Sequence, residues 1–304
     1  MARETTADLW SQWLLHARYA DNPQFHQAVD AMIARYVERL LDLAQLSSGQ
    51  TLVDVGTGEG LVAFRAVERV GPKLNVWLTD ASEPMLRHAE KQAVERGVRG
   101  QCTFLQCSAD HLEGIPDASV DVVVTRSVLA YVADKTAALR EFIRVLKPGG
   151  RISLAEPVYQ DDALAASALR TVIESNPPEQ VSPLTVLLHR WKAAQYPDTE
   201  EKIVESPIAN YSERDMMRFA QIAGFAELHL ELHIDTLPSI VRTWEVFIKS
   251  SPHPLAPPLS VIMSEQFSAQ ERQLFERSMR PVIEDPKAVT TDRMLYLTGR
   301  KPLT

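Results

Sequence analysis

The sequence predicts an α/β fold: a doubly wound, mostly parallel seven-stranded sheet with helical cap insertions. Three observations lead there. Between residues 51 and 155, short apolar strands alternate with helix-like segments, as in a parallel sheet covered on both faces. The first of these strands runs into a glycine-rich turn, Val53-Asp54-Val55-Gly56-Thr57-Gly58-Glu59-Gly60, that opens a helix. Two long helical, proline-bearing stretches then interrupt the pattern, each too long for an ordinary loop.

Residues 7–46 read as helical, with Phe25, Val29, Met32, Tyr36, Leu40 and Leu43 recurring at three- and four-residue steps and Pro23 opening the second helix. Leu46-Ser47-Ser48-Gly49-Gln50 is a break. Strands follow at 51–55, 74–79, 101–107, 120–125 and 151–155. The helix before the fifth stops at Leu146-Lys147-Pro148-Gly149-Gly150, where proline and glycines turn the chain. Residues 158–210 form a helical cap. A helix over 212–223 ends at Gly224, and 227–234 alternates between apolar and polar residues, as an outer strand does. A second insertion spans 235–291, with helices over 237–249 and 268–284 flanking the proline-rich 251–258, before a last strand at 293–299. The chain is thereby organised as an N-terminal helical segment (1–46), a ligand-binding core (47–157), a helical cap (158–211) and the rest of the core with its insertion (212–304).

Composition narrows the function. The 304 residues include 45% hydrophobic and 24% charged residues and no apolar run near the roughly 20 needed to span a bilayer. A net charge of −8 opposes binding to polyanions, so neither nucleic acid nor membrane is an expected partner. The opening Met1-Ala2-Arg3-Glu4-Thr5-Thr6 lacks the apolar stretch of a secretory signal, which places the protein in the cytoplasm. Cys102 and Cys107 fall on opposite faces of one strand and read as free thiols. Glu227, His229, Glu231 and His233 share a strand face, but side chains on a flat strand splay, so a solvated face is expected there and no metal site.

The glycine-rich turn lies at the carboxyl edge of the sheet, where open α/β folds bind nucleotide-like ligands. It lacks the third-glycine spacing of a dinucleotide site, because residue 61 is Leu and the third glycine comes one position early. Asp54, two positions before the first glycine, would repel a pyrophosphate, so the ligand should carry positive charge.

This block resembles motif I of the class I S-adenosylmethionine-dependent methyltransferases, and later segments are similar to that family in order. The resemblance implies a Rossmann-like core with S-adenosylmethionine as cofactor, S-adenosylhomocysteine as product, and Asp54, Gly56, Thr57, Gly58 and Gly60 at the cofactor. Asp80, followed by Ala81 in Leu78-Thr79-Asp80-Ala81-Ser82, matches the family's ribose-binding acid. Met85 matches its adenine-packing position, and Ala109-Asp110-His111 the stretch that holds the adenine amino group. Thr125-Arg126-Ser127-Val128-Leu129 resembles the motif lining the transferable methyl, and Leu146 to Gly150 the turn before strand five. Tyr19 resembles an N-terminal tyrosine that folds over the cofactor in many small-molecule members. These segments span about residues 50–156, a third of the chain.

Methyl transfer is an in-line displacement governed by positioning, and a general base is needed only when the acceptor arrives protonated. Candidate bases on the right sheet edge are Glu156, His111, Tyr131 and Tyr159; each also suits a helix cap or solvated loop. His189 in the first cap reads as a substrate contact or a polar-face residue. The N-terminal helices and both insertions can close over the same edge, and an enclosed pocket suits a compact acceptor. Leu, Val, Trp191, Trp244 and Phe247 in the caps favour an apolar or aromatic body. O-methylation is expected ahead of N- or C-methylation. The alternatives are a cofactor-binding enzyme that catalyses cyclisation, elimination or decarboxylation, and a non-catalytic interaction module. A homodimer through the helical additions is the default assembly.

Overall fold

A computed structural model describes residues 8–303. The opening residues and the start of the expected helical region at residue 7 lie outside the described residues. At the N-terminus, α1 (Leu9–Leu15) is capped by Asp8, whose side chain accepts the Ser11 N–H at 2.8 Å. A short 3₁₀ turn (Ala17–Tyr19) leads to α2 (Pro23–Ala44), where Asn22 caps the Phe25 N–H and Pro23 takes the first turn, a place where its missing donor costs nothing.

The core alternates β1 (Thr51–Val55), α3 (Leu61–Val70), β2 (Asn75–Asp80), α4 (Glu83–Glu95), β3 (Cys102–Gln106), β4 (Val120–Arg126), α5 (Lys135–Val145) and β5 (Leu146–Pro157). The sheet order is β3-β2-β1-β4-β5-β7-β6, in which β1 to β5 pair with one another in parallel, while β7 (Val289–Arg300) pairs antiparallel with both β5 and β6 (Ala226–Pro238). Helices α2, α3 and α4 bury one face of the sheet, while α5 and α9 (Glu213–Ala223) bury the other. The chain reverses its winding between β1 and β4, so their carboxyl ends border a crevice.

After β5 come α6 (Gln160–Glu174), α7 (Pro183–Gln195) and α8 (Glu200–Glu205); after β6 come α10 (Trp244–Lys249), α11 (Leu259–Gln266) and α12 (Ala269–Ile283). The two insertions share one apolar core, in which Leu187 of α7 packs with Trp244, Leu259, Ile262, Phe267 and Phe275. None of the described helices is long and apolar enough to cross a membrane.

Three local expectations change. The turn expected at 146–150 is a bulge inside β5: Leu146 pairs with Val120, the register shifts, and pairing resumes at Val122 with Arg151, with Gly149 at φ +75°. The helix expected over 237–249 begins only at Trp244, because β6 stays paired with β7 as far as Pro238 opposite Val289. The proline-rich stretch leads into α11, a helix that periodicity alone did not separate.

Candidate active site

The carboxyl ends of β1, β2 and β4 open into one cavity of about 840 Å³. At its glycine end, Gly56 and Gly58 hold left-handed φ values of +65° and +55°. A Cβ on Gly56 would stand 2.4 Å from a Val128 methyl, so this approach of two loops requires glycine. Thr57 also lies on the wall, and its hydroxyl donates to Asp54 Oδ2 at 2.7 Å.

Asp54 itself is off the wall, which corrects its expected ligand contact. It is buried beneath the turn, where Oδ2 also accepts the Ala63 N–H at 3.2 Å and so ties the turn to α3. Burial pushes its carboxyl up to about 7, against the Thr57 and Ala63 hydrogen bonds and the nearby Arg126 charge. Gly60 is likewise corrected: it starts α3 at φ +82°, where a Cβ would strike the Phe64 ring, and it does not reach the cavity.

Asp80 ends β2 on the wall. Its Oδ2 accepts the Gly58 N–H at 2.8 Å and its Oδ1 the Ser82 N–H at 2.9 Å, so the backbone fixes the carboxylate and each oxygen keeps a second lone pair. Burial raises its pKa, with those two hydrogen bonds opposing the rise. Ala81, Ala109 and Asp110 continue the wall, and Asp110 accepts the Ser108 hydroxyl. Cys107 is there too, its thiol pushed up to about 11 by burial. Met85 and His111 are corrections. Met85 is fully buried in the core behind Ser82, and His111 points outward with its side chain 73% exposed beside Glu113.

Arg126 and Ser127 lie on the wall, Ser127 at φ +57°. Glu156, expected as a base, is fully buried and off the wall. It accepts the Thr125 hydroxyl at 2.7 Å and the N–H groups of Val128 at 2.9 Å and Ala130 at 3.2 Å, so it shapes the loop after β4 and meets no acceptor. Tyr131 and Tyr159 do line the cavity, and Trp10 meets Tyr131 edge-on at 5.0 Å. Burial raises both phenols, Tyr159 to about 12 and Tyr131 well above its ordinary value, so both hold their protons at neutral pH.

Tyr19 is off the wall, stacked on His26, with its hydroxyl taken by Arg18 and Asp30. The neighbouring Arg18 faces the cavity instead and pairs with Glu59 at 2.5 Å. Arg18, Glu59, and Trp10, Trp13 and Leu14 of α1 also line the cavity, and the three- and four-residue spacing of the last three is the signal in the sequence that points to them. Trp13 Nε1 donates to Ser251 Oγ at 3.0 Å and thereby ties α1 to the second insertion. Trp191 and Phe247 reach the cavity, whereas Trp244 fills the cap core and His189 pairs with Asp198 at 3.0 Å away from the wall.

On the outer strand, Glu231 accepts from Arg39, from His229 at 3.3 Å and from His233 at 3.0 Å, a surface ion-pair cluster. Among the described residues no group of three or more His, Cys, Asp or Glu side chains is placed to hold a metal ion.

A family model described as "Methyltransferase domain" matches residues 46–220, more than half of the chain. The nocamycin O-methyltransferase of Saccharothrix syringae is 34% identical over 214 residues, covering 68% of this chain and 72% of that protein. The ubiquinone/menaquinone biosynthesis C-methyltransferase UbiE of Pseudomonas putida is 36% identical over 116 residues, 38% of this chain and 45% of the relative. Among solved structures, the YcgJ protein from Bacillus subtilis aligns over 88% of this chain and 99% of its own at TM-score 0.57 and 18% identity, a likeness of fold. The sheet order, the glycine turn and the acid that ends β2 define the class I S-adenosylmethionine-dependent methyltransferases. The chain belongs to the methyltransferase domain family and is one of these enzymes.

Proposed function

We propose that the enzyme methylates an oxygen of a small molecule with an apolar or aromatic body. The observation that carries this reading is one shared cavity, with the glycine turn and Asp80 at one end and Tyr131, Tyr159, Trp191 and Phe247 toward the caps. It is covered by α1 and by both insertions, and such enclosure suits a compact acceptor.

S-adenosylmethionine fits the donor set. Two carboxylates, Asp80 and Asp110, offer acceptors suited to ribose hydroxyls and an adenine amino group, and Gly56 and Gly58 let backbone approach the ligand closely. Ala81 and Ala109 leave room beside them, while Thr57, Arg126 and Ser127 border the same space. When bound, the cofactor supplies an electrophilic methyl group on a sulfonium. The protein's part is to orient both partners and exclude water, an effect worth on the order of 7 to 11 kcal/mol. The preference for oxygen draws on the relative matched over most of its length, which is named an O-methyltransferase.

Calorimetric titration with S-adenosylhomocysteine tests the site. Wild type should bind in the micromolar range, Asp80→Ala at least about tenfold more weakly, roughly 1.4 kcal/mol, and NAD not at all. Incubation with methyl-labelled cofactor and a panel of phenols, amines and carbon acids, read by mass spectrometry, then tests the acceptor atom. Failure of wild type to bind S-adenosylhomocysteine, or label appearing only on nitrogen or carbon, would count against the proposal.

A further inference from the structure

Four cations line the cavity, and three are neutralised. Arg18 pairs with Glu59 at 2.5 Å, Lys192 lies 3.9 Å from Asp162, and Arg293 meets Asp161 at 2.7 Å. The fourth, Arg126, has no carboxylate within ion-pair distance among the described residues; one of its nitrogens makes only a long contact, 3.4 Å, to Ser127 Oγ. The wall's carboxylates, in contrast, are already engaged: backbone N–H groups hold Asp80, the Ser108 hydroxyl Asp110, Lys192 Asp162 and the Tyr36 hydroxyl Asp292. A half-buried guanidinium with no directly paired carboxylate is only partly compensated, so a bound anion at Arg126 is favoured.

Its place in the fold says which bound group it meets. Arg126 is one residue beyond Thr125, the partner of Val55, and so stands level with Gly56 at the winding reversal. Its charge interacts with Asp54 and Glu59 of the glycine turn and with Glu156, and it also reaches Tyr159. It therefore lies between the glycine end and the tyrosine end, where an acceptor oxygen has to meet the methyl. Neither of the expected acid–base residues Glu156 and His111 is on the wall, and the two wall tyrosines keep their protons.

We propose that Arg126 holds the acceptor as an oxyanion, which makes the substrate class acidic hydroxyl compounds, phenols and enols taken up in ionised form. This rests on the O-methylation reading above. The acceptor loses its proton to water before it binds. An oxygen lone pair then forms the O–CH₃ bond while the broken C–S pair stays on sulfur, so anion and sulfonium become neutral ether and neutral thioether. No base on the protein is required, and Arg126 offsets the charge that desolvation would otherwise penalise.

The probe is 4-nitrophenol, whose phenolate absorbs visible light and whose phenol does not, titrated into enzyme saturated with S-adenosylhomocysteine. Bound to wild type, its phenolate-to-phenol ratio should rise about tenfold over that in buffer, one pKa unit. Arg126→Met should abolish the rise while affinity for S-adenosylhomocysteine changes by less than about threefold, and Arg126→Lys should restore part of it. The proposal is overturned if wild type binds the dye as phenol or not at all. It is also overturned if Arg126→Met weakens S-adenosylhomocysteine about tenfold and leaves the dye spectrum alone, which would assign Arg126 to the cofactor's carboxylate. The labelled-methyl assay reads the O-methylation proposal separately, since oxygen can be methylated whether or not the dye ionises.

Discussion

Asp54 lies one layer below the cavity, and its environment sets a pH dependence. Its carboxyl moves from an ordinary value of 3.8 to about 7 because burial disfavours the charged form more than Thr57, Ala63 and Arg126 favour it. A carboxyl raised on folding stabilises the native state fully below its unfolded pKa, and that stability is lost as pH rises through the folded value. The unfolding free energy of wild type relative to Asp54→Asn should accordingly fall between about pH 4 and about pH 7 and level off above. Denaturant melts of the two proteins across that range check this, and a constant difference would show that Asp54 stays ionised throughout. Asp80 and Glu156 are also raised by burial but are common to both proteins, so the difference reports residue 54 together with its coupling to Asp80. Positions on the cavity wall were legible where backbone geometry demands a residue type. Gly56, with a Val128 methyl against it, and Asp80, at the end of a parallel strand, both lie on the wall where their sequence context put them. They were illegible where role depends on which way a side chain turns: Glu156 has the right strand position but bends under the loop to meet three donors, and Arg18, not Tyr19, faces inward.

Helix α1 covers the cavity but has little stability of its own. At seven residues it is shorter than the roughly 12 to 15 at which an isolated helix becomes even marginal in water. It is held by the Asp8 cap, the Trp13 to Ser251 hydrogen bond and the packing of Trp10 on Tyr131. Two consecutive non-glycine residues with positive φ, Ala20 at +50° and Asp21 at +52°, join its turn to α2. Backbone amides in α1 should exchange with deuterium at least about tenfold faster than those in the middle of α2, and should slow when S-adenosylhomocysteine fills the space beneath Leu14. Equal protection of the two helices without ligand would make α1 a fixed wall. Elements of this kind differ in how far sequence reveals them. Strands β1 and β4 are apolar runs between breakers, and the alternation of β6 marks an outer strand. The extents of β5, β6 and β7 come from cross-strand pairing, which no local pattern encodes; β6 continues to Pro238 only because β7 begins opposite it at Val289.

At the scale of the molecule, two insertions separated by α9 and β6 build one roof over a crevice that the sheet's winding reversal creates. Their shared core centres on Phe275 of α12, fully buried, whose ring lies 5.9 Å from Trp191 and 5.6 Å from Phe267. Trp191 in turn reaches the cavity wall, so the packing of the roof sets the shape of its acceptor end, while Asp80 and the glycine turn belong to the sheet. Phe275→Ala removes a buried aromatic ring, a change that costs about 3 to 5 kcal/mol in a well-packed core. That cost falls on the roof. If sheet and roof divide the work as their contacts suggest, S-adenosylhomocysteine affinity should hold within about twofold in this variant while KM for the acceptor rises about tenfold or more, a loss of roughly 1.4 kcal/mol confined to acceptor binding. Calorimetry and steady-state kinetics on the same preparation separate the two quantities. Parallel loss of both would mean that the roof also organises the glycine end, and the cavity would then be a single cooperative site whose two ends cannot be tuned apart.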